Sequence, residues 1–244
     1  MKLALLSDIH SNLEALDAVM VDISRRGVQR IAFLGDIVGY GPDPKECLSY
    51  SRIFSFMILG NHDDAILYDS SETFNKRAKV AIKWTKEELE KDRDFVEHIK
   101  KNFVEYHEEE GMLFCHGSPL EHTRDYVFPD LGYDMDKVYD IFGALDWVCF
   151  CGHTHHPGVL IPNGEFYYPD EIDYYYRLGK KKAVINVGSV GQPRDGDKRA
   201  CYAILDDDVV EWIRVPYNYQ KTQKKILATN ILDPFLAKRL ASGK

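Results

Sequence analysis

The sequence predicts an α/β protein. Apolar runs of strand length recur along the chain. In the first part they are separated by amphipathic helical patterns, and beyond about Gly158 short strands follow one another through turns. The alternation of strand and helix is the signature of an α/β architecture. The runs are "LALL" (3–6), "IAFL" (31–34), "FMIL" (56–59), "MLFC" (112–115), "WVCFC" (147–151) and "AVINV" (183–187). None alternates cleanly between apolar and polar residues, which suits strands buried on both faces.

After the first run, "SNLEALDAVMVDISRRG" sets Leu13, Leu16, Val19, Met20 and Ile23 on one helical face. Ser11 with Glu14 reads as a capping box and Gly27 as the stop. "DPKECLSYS" opens a second helix with Asp43 as N-cap, Pro44 at the first helical position and Glu46 in the first turn. Residues 73–91 and 92–102 read as one broken helix or two, and 134–142 as another. Then "GVLI", "EFYY", "KAVINV", "RACYAIL" and "DVVEWIRV" read as strands joined by "PNG" and "DDD" turns. The basic amphipathic stretch 219–244 reads as a packed terminal helix or a frayed tail. No linker or fixed-period repeat interrupts the chain. One domain over 1–244 is expected, with a core to about 215 and a helical tail over 216–244.

A chain of 244 residues, 45% hydrophobic and 29% charged, can bury a sizeable core without staples. A net charge of −8 argues against long nucleic acid, which requires clustered Lys and Arg, but admits a small phosphorylated substrate. Cys47, Cys115, Cys149, Cys151 and Cys201 form no CxxC pair and read as buried thiols in a reducing compartment. "MKLALLSDIH" is too short in apolar residues for a signal segment, and no run approaches the ~20 apolar residues of a membrane span. A soluble cytoplasmic protein is expected.

The chemistry lies at the carboxyl ends of the runs. "LALL" leads into Ser7-Asp8-Ile9-His10, "IAFL" into Gly35-Asp36, and "FMIL" into Gly60-Asn61-His62-Asp63. "MLFC" leads into His116-Gly117 and "WVCFC" into Gly152-His153-Thr154-His155. A lone His or Asp at a turn is ordinarily a satisfied imidazole or an Asx-turn. Recurrence at one structural position is different, because ligands of open α/β sheets sit outside the carboxyl ends of the strands. Crowded carboxylates and imidazoles are costly to bury unless a cation compensates them. Asp8, His10, Asp36, Asn61, His116, His153 and His155 exceed the four ligands of a closed zinc site and suit two adjacent metals sharing a carboxylate.

The ordered blocks D-x-H, G-D, G-N-H-D, H-G and G-H-x-H resemble the calcineurin-like metallophosphoesterase superfamily over about residues 1–215, and within it the compact prokaryotic phosphodiesterase branch. The resemblance implies a two-sheet β-sandwich flanked by helices, a four-layer α/β/β/α fold. It implies one metal on Asp8, His10 and His155, another on Asn61, His116 and His153, and Asp36 as the bridge. His62 would be the proton donor to the leaving group or a stabiliser of the transition state. The implied reaction is hydrolysis of a phosphoric ester by in-line attack of a hydroxide held between the metals, on small phosphodiesters or nucleotide polyphosphates. Manganese is the expected ion. Iron, zinc, cobalt and nickel also fit mixed nitrogen and oxygen ligands.

The second block departs from the phosphatase pattern G-D-x-V-D-R-G: it reads "GDIVGYG", with Gly39 and Tyr40 at the Asp-Arg pair. His62 then lacks its usual orienting carboxylate, for which Asp63 or Asp64 is the expected substitute. The phosphate-holding cation is expected to be Arg194 in "NVGSVGQPRDG". A phosphomonoesterase or protein phosphatase of the same fold, and a non-catalytic protein-binding scaffold, are the alternatives. The complete ligand set speaks against the scaffold. His156 reads as lying outside the cluster, His98 and His107 as solvated, and "EYHEEEG" as a solvated helix end. A weak substrate contact is open to His122. The tyrosines of 166–176 read as packing, with a base-stacking surface or a homodimer interface as the other possibilities.

Overall fold

A computed structural model describes residues 2–244. The first part runs β1 (Lys2–Leu6), α1 (Leu13–Ser24), β2 (Arg30–Phe33), α2 (Pro44–Tyr50), β3 (Phe56–Ile58), α3 (Asn61–Tyr68), α4 (Lys76–Glu90) and α5 (Arg93–Asn102). Then come β4 (Phe103–Val104), β5 (Tyr106–Glu109), β6 (Met112–Cys115), α6 (Met135–Gly143), β7 (Val148–Cys151), β8 (Gly158–Leu160), β9 (Phe166–Tyr167), β10 (Tyr175–Arg177) and β11 (Ala183–Asn186). The long hairpin β12 (Ala200–Asp206) and β13 (Val209–Val215) precedes α7 (Tyr219–Ala228) and α8 (Pro234–Arg239).

The strands form two sheets, in the orders β10-β13-β12-β1-β2-β3-β4 and β5-β6-β7-β11-β8-β9. Within the first, β1 to β4 are parallel and β12 returns antiparallel to β1. In the second, β6, β7 and β11 are parallel. Strand parity explains the continuous apolar runs. Leu3 and Leu5 of β1 face the core between the sheets, with Phe114, Phe150 and Ile185 from the other side. Ala4 and Leu6 face outward, onto a core shared with Leu16 and Val19 of α1. The outer face of the second sheet is covered by α6 through Val138, Ile141 and Phe142. Helices, sheet, sheet and helix give the expected four layers.

Several local expectations change. The cap of α1 is Asn12, whose side chain accepts from the Ala15 N–H at 3.3 Å. Glu14 is drawn away from any capping box by Lys225 at 2.6 Å and Thr222 at 3.0 Å. Asp43 stands at the N-cap of α2 but gives its carboxylate to Lys225 at 2.9 Å. Residues 73–102 resolve into two helices, α4 and α5. "EYHEEEG" is no helix end: it contains β5, where Glu109 takes a two-pronged contact from Arg30 at 2.6 and 2.9 Å. His98 and His107 are half-buried; His98 meets Ser51 Oγ at 2.7 Å and His107 stacks on Phe56 at 4.2 Å. Helix α3 and strands β4 and β10 were not foreseen. The terminal stretch is packed, because Ile226 of α7, Leu236 of α8 and Leu240 just beyond it are buried with Tyr40, Ala81 and Trp84. No helix among the described residues is long and apolar enough to cross a membrane.

Candidate metal centre

The carboxyl ends of β1, β2, β3, β6 and β7 converge on one cluster. Asp8 and His10 follow β1, Asp36 follows β2, Asn61 opens α3 after β3, His116 follows β6, and His153 and His155 follow β7. All are buried, none more than 6% exposed. Asp8, His10, Asp36, His153 and His155 share an unusual backbone, with φ of 53°, 48°, 62°, 66° and 62°. The left-handed region costs most residues about 1–3 kcal/mol, and Asp and His are among the few types enriched there. These turns aim the side chains inward at the strand ends. Gly60 lets Asp36 in: a Cβ there would lie 2.1 Å from Asp36 Oδ1.

Each imidazole is oriented from behind. The Nδ1–H groups of His10, His116 and His155 donate to the carbonyls of Val38 (3.1 Å), Leu34 (2.8 Å) and Gln192 (2.5 Å). That fixes Nε2 as the atom offered to the cluster. His153 is reversed: its Nε2–H donates to the Arg124 carbonyl at 3.1 Å, leaving Nδ1 to the cluster. Two groups of ligand atoms result, Asp8 with His10 and His155, and Asp36 with His116 and His153. Asn61 Oδ1 joins the second group, 3.2 Å from His116 Nε2. Asp36 Oδ2 stands between the two, 3.7 Å from His10 Nε2 and 3.4 Å from His116 Nε2.

The arrangement fits divalent cations. Asp8 Oδ1 is buried without a hydrogen-bond partner. The Nε2 atoms of His10 and His155 face each other at 3.2 Å with both Nδ1 positions already donating, so two lone pairs meet where only a cation or a proton relieves them. Electrostatics agree. Although burial opposes it, the charges of His155, His116 and His10 pull Asp8 below the usual carboxylate range. Burial opposes charge on His116, yet Asp36 above all raises it to about 10. Positive charge is wanted there, and an ion supplies it in place of a proton.

His62 lies at the edge of the cluster, close to His10 and Asp36. Burial first, with Arg194 and His116 adding to it and Asp36 opposing, lowers it to about 4. Its Nδ1 is buried without a partner. The expected substitution by Asp63 or Asp64 does not occur. Asp63 accepts the backbone N–H groups of Asp36 (2.8 Å), Ile37 (3.1 Å) and Gly60 (3.1 Å), tying two strand-end loops together. Asp64 pairs with Arg124 and Ser70. His62 is held instead by rings: Tyr40 at 4.5 Å, His10 at 4.9 Å and Phe74 at 4.9 Å between centroids.

Above the cluster opens a cleft of about 340 Å³. Phe74 lines it from the α3–α4 connection, Arg124 and Tyr126 from the segment between β6 and α6, and Arg194 from that between β11 and β12. Arg194 thus lies where the sequence put it, beside Gln192 Oε1 at 2.9 Å. Among the described residues it has no carboxylate partner, whereas Arg124 is paired with Asp64. Tyr126 stacks on His153 with centroids 3.9 Å apart. Sequence reading missed Phe74, Arg124 and Tyr126: the helix expected from 73 begins only at Lys76, which leaves Phe74 in the preceding connection, and the other two sit in a segment without periodicity. His122 closes a turn through its carbonyl, which accepts from the His116 N–H at 2.9 Å, and His156 lies outside the ligand cluster. Tyr167, Tyr174 and Tyr176 pack on the core between the sheets, as the packing reading expected.

Two sheets packed face to face, with carboxylates and imidazoles gathered at their shared end, define a metallophosphoesterase, an enzyme that hydrolyses phosphoric esters. The chain belongs to the calcineurin-like phosphoesterase superfamily, whose domain model matches residues 1–208. It is similar to the uncharacterized protein MJ0912 of Methanocaldococcus jannaschii, at 38% identity over 99% of this chain and 98% of that one. It is also similar to phosphodiesterase YfcE of Escherichia coli, at 26% identity over 87% and 91% of the two chains. The crystal structure of a metallophosphoesterase from Sphaerobacter thermophilus matches over 100% of both chains, with a TM-score of 0.86 and 33% identity.

Proposed function

We propose that the protein is a phosphodiesterase acting on small phosphodiesters or nucleotide polyphosphates with the help of two divalent ions, manganese being the expected pair. The carrying observation is the Asp36 carboxylate between two oriented ligand groups, 3.7 Å from His10 Nε2 and 3.4 Å from His116 Nε2. Asp8, His10 and His155 would hold one ion, Asn61, His116 and His153 the other, and Asp36 would serve both. When bound, such a pair acidifies water toward neutral pH and neutralises charge on phosphoryl oxygens.

The chain's own part is positioning. The ligand side chains are fixed in advance by backbone carbonyls, so little reorganisation attends binding. Arg194 offers an unpaired guanidinium to a phosphoryl oxygen. Gly39 and Tyr40 in place of the phosphatase pattern's Asp-Arg pair weaken the monoester reading. His62, neutral because burial opposes its charge, would take up a proton from solvent as an anionic phosphoryl group enters beside it. Its proton then goes to the leaving oxygen. The similarity to phosphodiesterase YfcE supports the same reading.

The test is a manganese-loaded activity panel of bis-aryl and mono-aryl phosphates, dinucleoside polyphosphates, nucleoside triphosphates and phosphopeptides, with chelated protein as control. Preference for bis-aryl phosphate or a dinucleoside polyphosphate, lost on chelation, is expected. Preference for the mono-aryl ester or a phosphopeptide overturns the reading.

A further inference from the structure

We infer that Tyr40 contacts substrate: its phenol and the Arg194 guanidinium together hold the phosphoryl group above the ligand cluster, and the C-terminal arm formed by α7 and α8 sets the phenol's position. The inference deepens the phosphoesterase reading of the cleft and rests on it. Three observations support it.

The first is conformation. Tyr40 has φ 59°, a region that bulky aromatic residues almost never adopt, and Gly39 before it has φ 90°. A Cβ on Gly39 would lie 2.3 Å from His62 Nδ1. Two successive left-handed residues thus bring the main chain against one imidazole and swing the tyrosine ring over it. Strain of this kind persists only where the surroundings over-determine it, and it gathers at ligand clamps.

The second is location. The ring lines the cleft, its centroid 4.7 Å from that of His10 and 4.5 Å from that of His62, with Arg194 Cζ 6.0 Å away. A neutral hydroxyl donor beside one cation suits a phosphoryl group of single negative charge, since both donate to its oxygens.

The third is support from behind. The buried side of Tyr40 packs with Ile226 of α7, Leu236 of α8 and Leu240 just beyond it. The same arm clamps the segment bearing Arg194, through a hydrogen bond from the Gly196 N–H to the Gly243 carbonyl at 2.8 Å. Both donors therefore draw part of their support from residues outside the 1–208 family match.

The experiment compares the full-length, manganese-loaded parent with Tyr40→Phe and Leu236→Ala. It measures affinity for inorganic phosphate by calorimetry, the near-ultraviolet tyrosine signal on adding phosphate, and kcat/KM on bis-aryl phosphate. Tyr40→Phe keeps the packed ring and is expected to weaken phosphate binding and lower kcat/KM about ten- to a hundredfold, at unchanged metal content. The phosphate-induced tyrosine signal should be present in the parent and lost in the variant. Leu236→Ala, which leaves the phenol but loosens its seat, should move both quantities the same way by a smaller factor. Phosphate affinity and kcat/KM of Tyr40→Phe within about twofold of the parent would overturn the inference. A parent inactive on every phosphoric ester would instead sink the functional reading, while calorimetry with phosphate still decides the role of Tyr40.

Discussion

Asp8, His116 and the other side chains on the floor of the cleft are nearly inaccessible, whereas on its wall the Arg124 side chain is 43% exposed and Tyr126 42%. The floor comes from strand ends in both sheets, and its imidazoles are held by main-chain carbonyls. The wall comes from three connections, and its rings lean on the imidazoles below, Tyr126 on His153 at 3.9 Å and Phe74 on His62 at 4.9 Å. Chemistry common to many substrates can thus reside in the floor, and choice among substrates in the wall. Side-chain changes to the wall leave the floor's hydrogen bonds untouched, although two of those bonds use main-chain carbonyls of the wall, Arg124 for His153 and Gln192 for His155.

That division can be broken experimentally. Asp36→Asn strikes the floor at its shared residue. Activity is expected to fall about a thousandfold or more, with metal content reduced by elemental analysis. Retained metal and activity would show that Asp36 does not join the two halves. Chelation should next reveal how far the floor depends on its ions. At a thousandfold excess of metal over its dissociation constant the linkage is worth about 4 kcal/mol, or roughly 8–16 °C in Tm by calorimetry. His62→Ala lies at the boundary and should cost about a hundredfold in kcat at unchanged metal content.

Acidification probes the floor without mutation. In chelated protein, burial above all holds His62 at about 4 and His153 at about 3, while an unfolded chain takes up protons near the ordinary value of about 6.5. The stability these two supply is complete above that value and is lost as pH falls from it toward 4 and 3, by about 1.4 kcal/mol per unit for each. His116, raised to about 10, acts in the opposite sense: its share is complete below about 6.5 and lost as pH rises through 10. Asp63, raised to about 8 chiefly by burial, also gains as pH falls from 8, while His10 and His155, lowered chiefly by burial, lose with His62 and His153. Four depressed imidazoles outweigh the two opposing groups, and the Tm of chelated protein should drop between pH 7 and pH 5. The smallest effect belongs to the wall. Phe74→Ala should raise KM for an aryl diester by about two- to tenfold and leave kcat nearly unchanged. A kcat loss rivalling that of His62→Ala would erase the distinction.

The same division governs what the sequence made legible. Strand ends can be read because an apolar run buried on both faces stops abruptly at Asp, His or Asn, and the floor residues lay at such stops, with Arg194 in the Gly-rich loop after the sixth run. The wall has no comparable signal. Tyr126 lies in a connection where neither a period of two nor one of 3.6 applies, and Phe74 was hidden inside a helical pattern that in the fold starts two residues later. Tyr40 was visible only as a departure from a pattern, and its left-handed backbone could not be inferred from its residue type. Local rules also failed where distant partners outbid them: Glu14 left its cap for Lys225, and Asp63 was claimed by backbone N–H groups of two loops. Helix α3 was missed because its first turn, "NHDD", reads as site chemistry before it reads as a helix.

His10 and His155 meet at 3.2 Å although they are 145 residues apart, one following a strand of the first sheet and the other a strand of the second. No partly folded chain lacking either sheet can offer both. The pair exists only when both sheets are in place, so an ion held by both imidazoles would enter after the sheets have packed.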